Sequence, residues 1–206
     1  KLTVTNSPEG QSETFEVENN PNDPEAGTRP VTFSRNLYVE SDDFLETPIP
    51  KYKRLYPDGP ECRLKGAYLI KCTGCVKDEQ GNVVEILATY DPDSKGGNPA
   101  DGRKVKGATI HWVDAETAVD AQVRLYDNLF ADENPDGGDK DFLDCLNPGS
   151  LEVLEGCKLE ASLANAQPSD RFQFLRLGYF CADSKDSKPG ALVFNRAVSL
   201  KDGFKK

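Results

Sequence analysis

Short segments with a two-residue hydrophobic period run through this chain and constrain its fold more than any other feature. Apolar and polar residues alternate along seven stretches, which are separated by turns rich in Gly, Pro, Asn and Asp. The stretches are Val31–Glu40, Cys62–Cys72, Asn82–Tyr90, Lys106–Val113, Ala121–Phe130, Arg171–Cys181 and Ala191–Leu200. Because many short strands with little helix must hide both their apolar faces and their edges, the pattern predicts an all-β protein of barrel or sandwich type.

Helical signal is limited to isolated turns at Ser41–Glu46, Asp114–Val119 and Asn147–Leu154. The long polar connections Asn19–Pro30 and Asp91–Gly102 are the natural crossover points between separate barrels. The 206 residues are therefore expected to form two small β-barrels with a few short helical turns.

The six cysteines admit more than one interpretation. Reduced thiols are favoured, because a chain of this length does not need disulfides and contains no N-glycosylation sequon. Cys72 and Cys75 have the spacing of a zinc pair, but only Cys62 and His111 lie near enough to complete a site. Two thiols on a bent strand are the favoured interpretation, and we expect no metal site.

Charge is segregated along the chain, although the total is −10. Lys51–Lys71 holds six basic residues against two acidic ones, whereas residues 132–144 hold six acidic residues against one lysine. A second basic run, Arg103–Lys106, precedes the strand that carries the only histidine. Local positive charge within an acidic whole favours a polyanionic partner bound at the basic segments.

The chain contains no long apolar run and no signal-peptide pattern at its start, so we expect no membrane association and a cytoplasmic location. It has no methionine and begins in strand-like sequence at Lys1, which suggests a piece of a longer protein.

Catalytic patterns are lacking in the sequence. A single histidine makes a Ser-His-Asp triad improbable, and neither a phosphate-binding loop nor a dinucleotide-binding glycine motif occurs. His111 lies on an alternating strand, where a hydrogen-bonded structural role is the favoured interpretation. Residue chemistry alone therefore indicates a binding module with no catalytic residues.

Five long segments together resemble one family. They are Lys51–Cys72, Lys77–Val113, Val123–Phe130, Phe172–Cys181 and Phe194–Asp202. Their sequences are similar to the C-terminal anticodon-binding region of the glutaminyl-tRNA synthetase family, and the resemblance extends from Asn19 to the C terminus. It implies two β-barrels that hold the anticodon loop and separate its three bases into pockets.

The resemblance also implies which residues meet the bases. "KYKR" places Lys51, Lys53 and Arg54 at base-facing positions, with Arg54 at the third anticodon base. "CRLK" places Arg63 and Lys65 at the first base, where Lys65 replaces a family arginine and loses its planar fork.

"FQFLR" places Gln173 and Arg176 at the middle base, with Leu175 in place of a family glutamate. On an alternating strand, Phe172 and Phe174 would fill a core while Gln173 faces solvent or RNA.

By the same resemblance, residues 1–40 and 116–206 form the barrel proximal to the catalytic domain, and residues 41–115 form the distal barrel. The implied partners are the anticodon loop of tRNA(Gln) and the chain's own catalytic domain, within a monomer. ATP and magnesium belong to that catalytic domain, whose nucleotide motifs are absent from these residues, so this piece alone should not ligate glutamine to tRNA.

Three alternatives remain open at this stage. The same region of a glutamyl-tRNA synthetase of archaeal or eukaryotic type shares the barrel pair. A free-standing RNA-binding barrel protein would explain the basic segments. An extracellular β-sandwich would require disulfides between the cysteines.

Overall fold

A computed structural model describes residues 1–137 and 141–200 of the chain. Asp139 and Lys140 of the acidic segment, and the last two residues of the matched segment Phe194–Asp202, lie outside these ranges.

Within the described residues the chain forms fourteen β-strands and five 3₁₀ turns. The strands are β1 Leu2–Val4, β2 Glu13–Glu18, β3 Thr28–Phe33, β4 Asn36–Val39, β5 Cys62–Leu64, β6 Leu69–Lys77, β7 Val83–Asp91, β8 Thr109–Ile110, β9 Trp112–Asp114, β10 Val119–Tyr126, β11 Leu151–Leu159, β12 Arg171–Phe174, β13 Gly178–Ala182 and β14 Leu192–Ser199. The turns are Pro24–Ala26, Ser41–Asp43, Pro92–Ser94, Phe142–Cys145 and Ala161–Asn165.

The first of two compact units, Lys1–Ala118 with Glu160–Ser162, is built on a sheet in the order β8-β5-β6-β7-β1-β4-β9, with β2 and β3 pairing as a separate hairpin. The edge strands β8 and β9 are separated only by His111, so the sheet must curl until its two edges nearly meet. The indole of Trp112 donates to the carbonyl of Lys65 at 3.1 Å, beside this seam. The result is a nearly closed barrel.

An aromatic cluster fills this first unit. Phe33 lies at its centre, with ring centroids 5.1 Å from Tyr68, 5.7 Å from Tyr90 and 5.7 Å from Trp112. Phe15 of the hairpin packs edge-on against Phe33 and Tyr68. Burial of such side chains, each of which removes a large apolar area from water, is the main stabilising contribution to a unit with so little regular helix.

The second unit comprises Val119–Leu159 and the described residues from Leu163 onward. Its sheet has the order β11-β10-β14-β13-β12, in which β10 and β14 are parallel and the other neighbours antiparallel. Phe180 and Phe194 are buried at its core, and Phe174 stacks on Phe180 at 4.2 Å between centroids. The predicted all-β class is confirmed, and the two sheets are consistent with the predicted pair of barrels.

The boundary between the units differs from the one expected from the sequence, which grouped residues 1–40 with 116–206. In the structure, β1 lies between β7 and β4, and β4 pairs with β9, so the first forty residues complete the first sheet. Leu2, Val4 and Leu37 are fully buried in that unit's core. The connection Asn19–Pro30 is correspondingly a turn within the β2–β3 hairpin and its flank, and not a crossover between units.

No disulfide joins any of the six cysteines, all of which lie in the described part of the chain. Cys72 and Cys75 are on β6, on either side of a β-bulge. None of the helices in residues 1–137 and 141–200 combines the length and apolar content needed to cross a membrane.

Candidate nucleic-acid interface

Arg54 is held by the 3₁₀ turn Ser41–Asp43. Its Nε lies 3.3 Å from Oδ1 of Asp43, and Nη1 donates to the main-chain carbonyl of Asp42 at 3.1 Å. Asp43 is fully buried, whereas the Arg54 side chain is 37% exposed. A buried carboxylate requires a countercharge, so the contact with Asp43 fixes the orientation of the Arg54 guanidinium. Nη2 of Arg54 donates to no acceptor within the described residues.

The rest of "KYKR" surrounds this arginine. The hydroxyl of Tyr52 donates to the same Asp42 carbonyl at 2.9 Å, and its ring lies 6.3 Å from that of Tyr56. Burial raises the pKa of Tyr52. The side chains of Lys51 and Lys53 are exposed.

Arg63 on β5 is also anchored at one edge. Its Nε donates to the carbonyl of Gly97 at 2.8 Å, and its two Nη groups donate to no acceptor in residues 1–137 or 141–200. Lys65 follows β5, with its main chain bonded to Ile110 and Trp112 and its side chain partly exposed. Arg54 and Arg63 thus share one design, a guanidinium fixed through Nε with donors left over for a ligand.

One residue joins the two basic segments. The amide of Ala108 donates to the carbonyl of Lys53 at 2.7 Å, and the carbonyl of Ala108 accepts from the amide of Arg63 at 3.0 Å. The side chains predicted for the third-base and first-base pockets are therefore brought together on the first unit. Lys104 and Lys106, just before this residue, are also exposed.

Arg103, by contrast, donates its hydrogen bonds to protein carboxylates. It binds Glu61 through Nε at 2.9 Å and Nη2 at 2.8 Å, Asp91 at 2.5 Å and Asp101 at 3.0 Å. These contacts raise the pKa of Arg103, and Arg103 lowers the pKa of Asp91. The guanidinium in the second basic run is therefore structural, and it ties together the loop that supplies the Gly97 carbonyl.

Gln173 and Arg176 lie on the second unit. On β12, Phe172 and Phe174 pack against the core while Gln173 is exposed, as the alternation predicts. Arg176 is exposed in the turn that leads to β13, where the amide of Leu177 donates to the carbonyl of Phe174 at 3.0 Å.

Backbone conformation marks two of the predicted residues. Four non-glycine residues of the described chain have positive φ: Lys51 at 67°, Asp58 at 57°, Ser169 at 73° and Arg176 at 65°. This region costs an L-amino acid about 1 kcal/mol or more, and such residues concentrate at functional sites. Lys51 and Arg176 are thus presented by strained turns.

His111 has a structural environment. Its Nε2 lies 3.0 Å from Oε1 of Glu160, which is also bound by Arg29 through two bonds of 2.6 and 2.9 Å. Burial alone would raise the pKa of Glu160, but the hydrogen bonds from His111 and Arg29 outweigh it and lower the pKa to about 2. The only histidine is therefore part of a hydrogen-bonded cluster with Glu160 and Arg29 within the first unit.

Sequence reasoning did not find the supporting groups Asp43 and Gly97. Asp43 stands beside Asp42 in a polar stretch, and nothing in the pattern distinguishes a buried carboxylate from an exposed one. Gly97 acts through a carbonyl oxygen, which every residue possesses. Neither contact has a sequence signature.

The chain matches two family models that carry the same description, "tRNA synthetases class I (E and Q), anti-codon binding domain", over residues 1–91 and 109–183. It is 53% identical over 206 residues to a glutamine--tRNA ligase of Clostridium kluyveri, covering 100% of this chain and 36% of that protein. It is 54% identical to one of Pseudomonas putida, covering 99% and 36%, and 55% identical to one of Bordetella pertussis, covering 99% and 34%. The chain thus spans about a third of the length of these curated relatives.

Proposed function

Because the chain belongs to the anticodon-binding family of the class I (E and Q) tRNA synthetases, we propose that it binds the anticodon loop of tRNA(Gln) as the C-terminal part of a glutamine--tRNA ligase. The single observation that carries the proposal is the shared design of Arg54 and Arg63. Each guanidinium is fixed at Nε by a protein acceptor and keeps donors for a ligand. Sequence-specific RNA recognition uses such forks to read unstacked loop bases.

The base pockets follow this division of the chain. Arg54, with Lys51 and Lys53, reads the third anticodon base, and Arg63 with Lys65 reads the first. Gln173 and Arg176 read the middle base from the second unit. An anchored guanidinium suits a guanine, because the N–H donors that the protein leaves unused can meet the acceptors O6 and N7 of that base.

The ligation chemistry belongs to the parent protein. ATP and magnesium act on its catalytic part, and no residue of this chain is assigned to hold them, since the nucleotide-binding motifs are lacking from its sequence. We place the parent protein in the cytoplasm, as a monomer.

A glutamyl-tRNA synthetase is the second candidate, because the matching family models cover both E and Q enzymes. Anticodon preference distinguishes a glutaminyl-tRNA synthetase from a glutamyl-tRNA synthetase. Glutamine and glutamate anticodons differ only in the third base, which is guanine for glutamine and cytosine for glutamate. A chain of the glutamine type should prefer the guanine, and a chain of the glutamate type the cytosine.

The test is binding of the 206-residue chain to RNA hairpins that carry either anticodon, with Arg54→Ala as the variant. We expect the native chain to prefer the glutamine anticodon, and Arg54→Ala to weaken that binding by about tenfold and remove the preference. Lys188→Ala, an exposed lysine of the second unit, is the control. Equal binding of both hairpins and of a scrambled loop would refute the proposal.

A further inference from the structure

A row of exposed side chains crosses the second sheet beside Gln173. In the antiparallel register Gln173 lies opposite Tyr179, and Tyr179 lies opposite Val198. Tyr179 is 49% exposed and Val198 is 58% exposed, although Phe180, the residue after Tyr179, is buried. Cross-strand partners hold their Cβ atoms about 5 Å apart, so the amide of Gln173 and the ring of Tyr179 share one surface.

Tyr179 has no structural role that accounts for its exposure. Tyr52 and Tyr68 donate their hydroxyls to protein acceptors, whereas the Tyr179 hydroxyl makes no hydrogen bond within the described residues. Half of an aromatic side chain therefore remains in water beside an apolar valine. An exposed aromatic next to a hydrogen-bonding amide is the arrangement that RNA-binding sheets use to stack an unpaired base.

The charge of this surface fits a polyanion. The outward positions of β12 and β13 are Arg171, Gln173, Tyr179 and Cys181, with Val198 beside them on β14. No carboxylate occurs in this set, although the chain as a whole carries a formal charge of −10. Arg171 lies two residues before Gln173 and so projects from the same face of the strand.

We propose that Tyr179 is the stacking platform for the middle anticodon base, whose hydrogen-bonding edge Gln173 reads. Val198 forms the apolar side of this platform, and Arg171 supplies positive charge for the adjoining phosphate. The inference rests on the proposed function, since it takes the middle base to reach Gln173. It assigns the second unit two separate tasks, edge reading by an amide and sequence-independent stacking by a phenol ring.

The test compares Tyr179→Leu and Tyr179→Phe in the 206-residue chain, with hairpins that carry each of the four bases at the middle anticodon position. Stacking tolerates any base, so Tyr179→Leu should weaken all four hairpins by about tenfold, and Tyr179→Phe should stay within twofold of the native chain. Gln173→Ala should instead reduce the discrimination between bases. Tyr126→Leu is the matched control, since Tyr126 is 47% exposed on β10 of the same unit.

A hairpin with an abasic middle position completes the design. On that RNA, Tyr179→Leu should not weaken binding any further, because the base that would stack on Tyr179 has been removed. A loss of equal size on the abasic and intact hairpins would overturn the inference, as would unchanged binding by Tyr179→Leu.

Two outcomes separate this inference from the proposed function. If Arg54→Ala weakens binding but Tyr179→Leu does not, the stacking inference fails and the function stands. If the native chain does not prefer an anticodon hairpin to a scrambled one, the function fails. Tyr179 could instead contact a second copy of the chain. Sedimentation of the native and Tyr179→Leu chains measures self-association, and its loss in the variant would also overturn the inference. Thermal unfolding of each variant excludes loss of fold as the cause.

Discussion

At the scale of single residues, the number of guanidinium donors that protein acceptors occupy decides what each arginine can do. Arg54 and Arg63 each have an acceptor at Nε and keep donors for a ligand, whereas Arg103 is surrounded by three carboxylates. A guanidinium has five donors in a rigid fork, so fixing one edge orients the other without consuming it. Pre-orientation of this kind reduces the entropy that must be lost when RNA binds.

Asp43→Asn should therefore change specificity at the third base. The substitution keeps the shape of the side chain but removes the charge that holds Arg54 through Nε. We expect a loss of discrimination at the third base of about fivefold, and a fall in the free energy of unfolding of about 2 kcal/mol. Binding to hairpins with altered first and third bases, together with urea unfolding, measures both effects.

Asp42→Asn is the matched control for this substitution. Asp42 is exposed, and it meets Arg54 and Tyr52 through its main-chain carbonyl, which the substitution leaves in place. An equal effect of the two substitutions, or equal loss at the first and third bases, would contradict the positioning role of Asp43.

Glu160 should make the first unit sensitive to acid. Its folded pKa is about 2, below the ordinary value of 4.5, so the folded state binds fewer protons than the unfolded state. The stabilisation, about 3 kcal/mol, is complete above pH 4.5 and is lost as the pH falls towards 2. The side chain is 14% exposed, so solvent screening is small.

Glu160→Gln tests this pH dependence through urea unfolding at a series of pH values. The variant should be less stable than the native chain at pH 7, and the gap should close as the pH falls from about 4.5 to 2. Glu152→Gln, an exposed glutamate on β11, serves as the control. A gap that stays constant with pH would show that Glu160 does not contribute through its charge.

At the scale of elements, turns present the predicted side chains and strands support them. Gln173 owes its exposure to the alternation of β12, but Arg176 projects from the turn after that strand with φ at 65°. Two residues after Arg176, Gly178 begins β13 and cannot be replaced, because a Cβ there would lie 2.4 Å from the carbonyl oxygen of Val198. Packing therefore sets the conformation of the β12–β13 hairpin, and that conformation leaves the Arg176 side chain exposed.

Arg176→Gly should separate stability from binding. Glycine relieves the positive-φ strain at the cost of some chain entropy, so the free energy of unfolding should rise by about 0.5 kcal/mol. Binding to the anticodon hairpin should fall by about tenfold, because the guanidinium is lost. Ser169→Gly, at φ 73°, should give a similar gain in stability with no change in binding. Weaker binding by Ser169→Gly would attribute the loss to backbone flexibility instead.

At the scale of the whole molecule, charge is distributed so that binding depends on local fields. The chain carries −10 in total, yet exposed Lys53 is bonded to Ala108 through its carbonyl, and exposed Lys104 and Lys106 shortly precede Ala108 along the first unit. Long-range repulsion of RNA by the acidic surface opposes local attraction by this basic patch.

Binding should consequently be weak and strongly salt-dependent. With about three phosphate contacts, the logarithm of affinity should fall with a slope of about 2 against the logarithm of salt, or about tenfold between 50 and 200 mM. Lys104→Gln should reduce that slope while leaving base discrimination intact, and Lys188→Gln should change neither. Titrations of the anticodon hairpin at four salt concentrations measure the slope, and a slope near zero would contradict electrostatic docking.

The sequence by itself determined the fold class and the family. Alternation along the strands is a local consequence of backbone geometry, so Phe172, Gln173 and Phe174 could be assigned to opposite faces in advance. Long matched segments likewise sufficed to nominate Arg54, Arg63, Gln173 and Arg176. The helical turn expected at Asn147–Leu154 is wrong, because Leu151–Leu159 forms β11, whose pairing with the distant strand β10 has no local sequence signature.

Only the tertiary structure decided which strands share a sheet and which arginines keep donors for a ligand. The placement of β1 between β4 and β7 depends on pairings distant along the chain, which no local pattern encodes. The same holds for Arg103, which stands in the most conspicuous basic run but is neutralised by Glu61 and Asp91. Hydrogen bonds to a buried carboxylate or a main-chain carbonyl form only when separate segments meet in space, so availability for RNA is a property of the folded chain.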